Sequence, residues 1–245
     1  MQALTDGSPM KLSPQSRVPS KTQALPLRKD RLYFLTPQSA SFLASMTFQE
    51  LKNLIAADQH RYEARHGFRD FLKQWIREGG FRFTVVMRLC AWLRAQWWSR
   101  YGLYHLMLWK HRRMQIRYGA YIEYSCQIGG GLYLGHMCSI VTNVRCTIGD
   151  NCTLGHGVTI GKTHDRSKHP GVPMIGDRVY LGCGAAILGG VRIGDDAVVA
   201  PNAVVISDVP AGAVVGGIPA RVLSMEGSAG YVSNVALQSG PIREC

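Results

Sequence analysis

Two imidazoles stand at matching places in this chain: His136 in "GLYLGHMCSIV" and His156 in "CTLGHGVTIGKT". Each follows an aliphatic–glycine pair, in a pattern otherwise filled by small and branched apolar residues. Imidazole changes charge near neutral pH, so it serves as a general acid or base or as a metal ligand. Two more, His164 and His169, lie in "GKTHDRSKHPGVPMIGD" with Lys162, Arg166 and Lys168. A zinc site on coils of this kind needs converging His ligands, including a pair five apart within the coils. Five beyond His136 is Val141, and five beyond His156 is Gly161. The five-spaced pair that does occur, His164 with His169, falls in a loop, so proton transfer is expected and no metal.

The elements that hold these residues follow from a period of six. Ile122, Ile128, Leu134 and Ile140 are six apart, then Ile148, Leu154 and Ile160 after a two-residue excess. Ile175, Leu181, Ile187, Ile193, Val199 and Val205 follow after a three-residue excess, and eight of these thirteen positions precede a glycine. Neither the 3.6 of a helix nor the 2 of a strand produces six. It is the period of a parallel β-helix, in which each side is a short strand and a bend. Three sides make a coil of 18 residues, so residues 122 to 216 hold about five coils.

Stacked coils let sequence predict vertical neighbours. With its excess, Leu134-Gly135-His136 lies one coil below Leu154-Gly155-His156, with the rings pointing outward about 4.8 Å apart at the backbone. The three-residue excess puts Ile175-Gly176-Asp177 in the next tier. The stretch 162–173 leaves the coil where one side should be, as a polar excursion that covers or builds a site.

Upstream, the period is helical. Thr47 and Glu50 form a capping box. Leu51, Leu54 and Ile55, then Phe71, Leu72, Trp75 and Ile76, mark apolar stripes. Gly79-Gly80 separates this part from "FRFTVVMRLCAWLRAQWW", through which Arg82, Arg88 and Arg94 are spaced, and Gly102 breaks off a further helix. The expected organisation is a disordered basic arm (1–45), an α-helical domain (46–117), the β-helix (118–222, excursion 162–173) and a C-terminal tail (223–245).

The chain is basic, with 28 Lys and Arg against 16 Asp and Glu, a charge of +12. Such a field draws anions, yet no nucleic-acid-binding signature occurs, so no nucleic acid is expected as partner. Seven cysteines without a C-x-x-C pair suggest free thiols and a reducing compartment. No apolar leader or membrane-length run is visible. A cytoplasmic protein is expected.

The stretches "IGGGLYLGHMCSIVT", "CTLGHGVTIGKT", "IGDRVYLGCGAAILGGVRIGDDAVVAPNAVV" and "VVGGIPARVL", with "GGFRFTVVMRLCAWL" upstream, resemble the hexapeptide-repeat acyltransferases of the serine acetyltransferase group over about residues 50 to 222. The resemblance implies a helical domain followed by a left-handed parallel β-helix. It also implies at least a homotrimer, with acetyl-CoA in the groove between neighbouring solenoids. The family's catalytic His maps onto His136, a general base that deprotonates an acceptor hydroxyl attacking the thioester, with backbone N–H groups stabilising the oxyanion. His169 matches the family's second histidine. Gly161, Lys162, Cys183 and Pro201 are implied along the acetyl-CoA groove, with Arg192 and Arg221 as cations for its phosphates.

The departures concern the acceptor. Family members that make O-acetylserine carry Asp where this chain has Gly135 and an orienting Asp where it has Tyr121. They also carry Arg-Asp-Pro where it reads "ARHG" near His66. Gly135, Tyr121 and His156 are candidate acceptor contacts, and Glu123 is a candidate orienting carboxylate. Without those carboxylates, the expected acceptor is a glycan hydroxyl rather than L-serine. The "DQHRY…GFRDFLKQWIREGGFRF" spacing resembles the subgroup found with capsule and exopolysaccharide synthesis, and the Arg- and Trp-rich helices suit contact with the inner face of the membrane. Serine O-acetylation is the alternative. A zinc enzyme like the γ-carbonic anhydrases and a non-catalytic polyanion-binding scaffold are the remaining readings.

Overall fold

The computed structural model describes residues 46–63, 67–96, 98–99, 102–163 and 168–235. The arm expected at 1–45, the residues His66, His164 and Arg166, and Cys245 lie outside the described residues. Among the described residues, four α-helices precede fourteen short strands: α1 (Phe48–Glu63), α2 (Phe68–Arg77), α3 (Gly79–Ala95) and α4 (Leu103–Tyr118), then β1 (Gln127–Ile128), β2 (Tyr133–Leu134), β3 (Val141–Thr142), β4 (Thr147–Ile148), β5 (Thr153–Leu154), β6 (Thr159–Gly161), β7 (Met174–Ile175), β8 (Tyr180–Leu181), β9 (Ala186–Leu188), β10 (Arg192–Ile193), β11 (Val198–Val199), β12 (Val204–Val205), β13 (Val214–Gly217) and β14 (Ala220–Ser224). None of the described helices is long and apolar enough to cross a membrane.

The strands stack into three sheets, in orders β1-β4-β7-β10, β14-β13-β11-β8-β5-β2 and β12-β9-β6-β3. All pairings between coils are parallel. Ile128 (β1, Gln127–Ile128) pairs with Ile148 (β4, Thr147–Ile148), which pairs with Ile175 (β7, Met174–Ile175). Leu134 (β2, Tyr133–Leu134), Leu154 (β5, Thr153–Leu154) and Leu181 (β8, Tyr180–Leu181) form the next column. Val199 (β11, Val198–Val199) and Val215 (β13, Val214–Gly217) continue it. These aliphatics are almost wholly buried and form one continuous core with residues of α3. Beyond the last coil, β14 (Ala220–Ser224) turns back antiparallel on β13.

Two registers differ from the expected ones. The two-residue excess falls after Leu134, so Thr142, not Ile140, stacks under Ile160. Ile140 is still fully buried, filling the corner beneath Val158. The loop excess is nine residues rather than three: Leu154 sits below Leu181, and Ile175 belongs above Ile148. The expectation that Asp177 lies above His156 is therefore wrong, and that position holds Cys183. Spacing in multiples of six cannot tell a skipped side from a longer loop, whereas strand hydrogen bonds can.

The helices close the open lower end of the solenoid, whose edge would otherwise present bare backbone groups. Asp58 of α1 accepts the Leu132 N–H at 2.9 Å and the Arg88 guanidinium at 2.7 and 2.9 Å. Arg88, in α3, also donates to the carbonyls of Ile128 (3.1 Å) and Gly129 (2.6 Å). The Tyr62 hydroxyl accepts from Leu134 N–H at 3.3 Å and reaches its carbonyl at 3.4 Å. Gly80 lies inside α3 rather than between helices. A β-carbon there would collide with the Leu134 carbonyl and approach the Tyr62 hydroxyl to 2.5 Å. Glycine lets α3 touch the coil edge.

The Thr47–Glu50 capping box forms, with the Glu50 N–H donating to Thr47 Oγ1 (3.2 Å) and the Thr47 N–H to Glu50 Oε2 (2.7 Å). The stripe expected on α2 is only half used. Phe71 and Trp75 pack inward, but Leu72 and Ile76 are exposed.

Candidate active site

Each coil turns a corner two residues after its Leu or Val in the β2-β5-β8-β11 sheet. This places His136, His156, Cys183 and Pro201 in one outward column. The backbone ladder of that corner runs from Gly157 N–H to the Cys138 carbonyl, Gly184 N–H to His156 and Asn202 N–H to Cys183, at 2.8–2.9 Å, so the rung beneath His156 belongs to Cys138 and His136 stands two residues before it. The two imidazoles are exposed, with centroids 6.4 Å apart and planes at 65°.

Beside this column lies an open cavity of about 300 Å³, walled by three parts of the chain. The coils contribute Tyr133, Gly135, His136, Thr153 and His156. Helix α1 contributes Arg61 and Tyr62, and the segment after β14 contributes Tyr231, Ser233 and Asn234. That last segment, expected to be a plain tail, folds back along the sheet. Ser228 Oγ donates to the Arg178 carbonyl at 2.6 Å, and the Tyr231 ring lies 5.2 Å from that of Tyr180. Asn234 reaches the Arg61 carbonyl at 3.5 Å.

Arg61 is 3% exposed. It donates from Nη1 to the Asn151 carbonyl (3.1 Å) and from Nη2 to Thr153 Oγ1 (2.7 Å). Nε has no hydrogen-bond partner, and burial lowers the guanidinium's pKa. Burial also raises the Tyr62 hydroxyl well above its ordinary range and pushes the thiol of Cys152, behind the wall, up to about 12. The cavity wall therefore has one permanent cation, two imidazoles and several hydroxyls.

Of the residues expected from sequence, the cavity gathers His136, His156, Gly135 and Cys183. Pro201 stands above them in the column. Glu123 is not there: it follows Ile122 at a different corner, where its charge is felt by Cys90 and Cys126. Tyr121 sits on the β3 side, bridged to Val141. Within one chain neither position lies in the cavity that holds His136. His169 lies at the corner after Ile187, its carbonyl accepting from Thr163 Oγ1 (2.9 Å) and Gly190 N–H (3.0 Å). Gly161 and Lys162 leave from the same side of the coil. Arg192 is on the β10 face (Arg192–Ile193) and Arg221 on β14. Within one chain none of these seven lines the cavity with His136.

Sequence reasoning missed Arg61, Tyr62, Tyr133, Thr153, Tyr231 and Asn234. The two charges of "DQHRY" that become buried, Asp58 and Arg61, were the available signal. A charge inside a packed domain must find a partner or a ligand.

Sequence and fold comparisons agree with this architecture. The family description "bacterial transferase hexapeptide (six repeats)" matches residues 173–207, and "hexapeptide repeat of succinyl-transferase" matches 145–162. The serine acetyltransferase of Helicobacter pylori is 38% identical over 108 residues, 44% of this chain and 63% of that protein. The chain thus spans less than two thirds of the length of this relative. The structure is similar to serine acetyltransferase from Brucella abortus (TM-score 0.61, 27% identity, 78% of this chain and 75% of that one), also solved with coenzyme A. It is likewise similar to the Neisseria gonorrhoeae enzyme in complex with serine (TM-score 0.58, 28% identity, 75% and 73%).

In repeat and fold the chain is similar to hexapeptide-repeat β-helix proteins, the serine acetyltransferases among them. These relatives are serine acetyltransferases, which overturns the expectation, drawn from missing carboxylates, of a glycan acceptor. The assignment to a capsule or exopolysaccharide subgroup has no support among them.

Proposed function

We propose that this chain is an acetyl-CoA-dependent O-acetyltransferase acting on the side-chain hydroxyl of L-serine. The observation that carries this reading is His136, set outward at the wall of an open cavity on a coil repeat shared with serine acetyltransferases. In the step proposed, the imidazole takes the hydroxyl proton as that oxygen attacks the thioester carbonyl. The carbon–sulfur bond then breaks, and the departing thiolate recovers a proton from the imidazolium. O-acetyl-L-serine and coenzyme A result.

Cys183 and Pro201, above His136 in its column, support a donor lying along that corner. Gly161, Lys162 and His169 project from another corner, so in this reading a neighbouring copy supplies them, in a homotrimer. Arg192 and Arg221 remain the proposed phosphate contacts. The cytoplasm, which supplies acetyl-CoA, is the proposed location.

The test is release of coenzyme A from acetyl-CoA with L-serine, for wild type and His136→Ala, with the product identified by mass. Serine-dependent release that the variant loses is expected. Absence of release with serine, in a folded wild type, overturns the reading.

A further inference from the structure

The cavity beside His136 carries a charge pattern that general-base chemistry alone does not require. Arg61 is buried, permanently charged and close to the Tyr133 ring (5.8 Å). Its hydrogen bonds go to a neutral carbonyl and a neutral hydroxyl, and its Nε has none. The nearest carboxylate on α1, Asp58, is already committed to Arg88 and the Leu132 N–H. A buried guanidinium without an anion is costly, and burial already lowers its pKa. Among the described residues lining the cavity there is no Asp or Glu at all. At position 135 the space a side chain would enter is taken by the Tyr133 ring, 3.2 Å from where a β-carbon would sit.

We propose that this cavity recognises its acceptor through a carboxylate seated on Arg61 and makes no demand on an ammonium group. The acceptor class is then the short hydroxy-carboxylate, of which serine is one member. This rests on the acyl-transfer reading above and adds what the site selects. The placement suits it. Thr153, which anchors Arg61, pairs with Tyr133, three residues before His136, and Arg61 and His136 line the same cavity. A carboxylate there gives the guanidinium the charge-assisted partner it lacks.

The experiment compares L-serine, L-serinamide (no carboxylate) and 3-hydroxypropanoate (no ammonium) as acceptors. Coenzyme A release and calorimetric binding are measured for wild type, Arg61→Gln and Arg61→Lys, with each variant's fold checked by circular dichroism. For wild type, 3-hydroxypropanoate is expected to stay within about 10-fold of serine in kcat/KM, while serinamide falls by about 10- to 100-fold. Arg61→Gln is expected to raise the KM for serine and erase its advantage over serinamide, leaving the KM for acetyl-CoA unchanged; Arg61→Lys restores part of it. Serinamide turned over as well as serine overturns the carboxylate site while acyl transfer stands. Carboxylate-dependent binding without coenzyme A release leaves the site standing and overturns the acyl-transfer reading. If no acceptor binds or reacts, both fall.

Discussion

The His156 ring lies 6.4 Å from that of His136, twenty residues on in sequence and one coil up in space. No hydrogen bond joins the two rings, and both face the cavity. The proposed reading separates them in function: the lower ring is the proposed base and the upper ring a proposed acceptor contact. His136→Ala is expected to lower kcat by about 10²- to 10⁴-fold with little change in the KM for acetyl-CoA. His156→Ala should act mainly on the KM for the acceptor. Steady-state release of coenzyme A separates the two, and equal losses in kcat would argue against the division.

The Asp58–Arg88 pair is the latch between helices and coil. Both side chains are almost fully buried, and Asp58 also satisfies a coil N–H. Asp58→Ala leaves the guanidinium buried and unpaired, at a cost of about 3–5 kcal/mol. Denaturant melting should show that loss. Asp58→Ala with Arg88→Met should recover part of it, because the stranded charge is then gone.

His111 gives the fold an acid limit. It is fully buried on α4 against the Phe83 ring (5.1 Å). Burial drives its pKa down to about 4, helped by the Arg112 charge. The nearby Ile122 carbonyl opposes the shift, though its well-formed bond is to Gln115 (3.2 Å). The folded state therefore holds His111 neutral while the unfolded chain takes up a proton near pH 6.5. The stability from this group is complete above pH 6.5 and is lost progressively as pH falls to about 4, a total of about 3 kcal/mol. His111→Leu should flatten the midpoint-against-pH curve across that window. An unchanged slope would remove His111 from the account.

Gly80→Ala tests the contact between α3 and the coil edge. The added methyl meets the Leu134 carbonyl of β2 and the Tyr62 hydroxyl of α1. Overpacking of this kind costs about 1–3 kcal/mol. Since Leu134 leads directly into His136, activity should fall further than at Gly102→Ala, where a β-carbon meets nothing within 4 Å. Melting temperature and coenzyme A release on the two variants decide this.

Much of the architecture was legible because a β-helix is nearly one-dimensional. One inward aliphatic every six residues specifies the coil. Counting 18 plus a local excess puts Leu134 under Leu154, as the strands pair. The same counting put Asp177 above His156, where Cys183 stands. A gap of fifteen residues between Ile160 and Ile175 is compatible with two registers, and only hydrogen bonding between strands chooses one. The glycan acceptor was drawn from residues missing at Gly135, Tyr121 and His66, and a missing residue says little about what replaces it.

Periodicity determines how each coil lies on the next, because each strand pairs only with its neighbours. It does not determine how a helix approaches those coils from outside, since that depends on contacts between residues far apart in the chain. Arg61 meets Thr153 across 92 positions, and Asn234 meets Arg61 across 173. No local pattern in "DQHRY" or in the segment after β14 encodes those meetings. The sequence by itself determined the solenoid and its histidine column. The tertiary structure alone decided that a buried arginine stands at the wall of the same cavity, because only packing of the helices on the coil edge could bring it there.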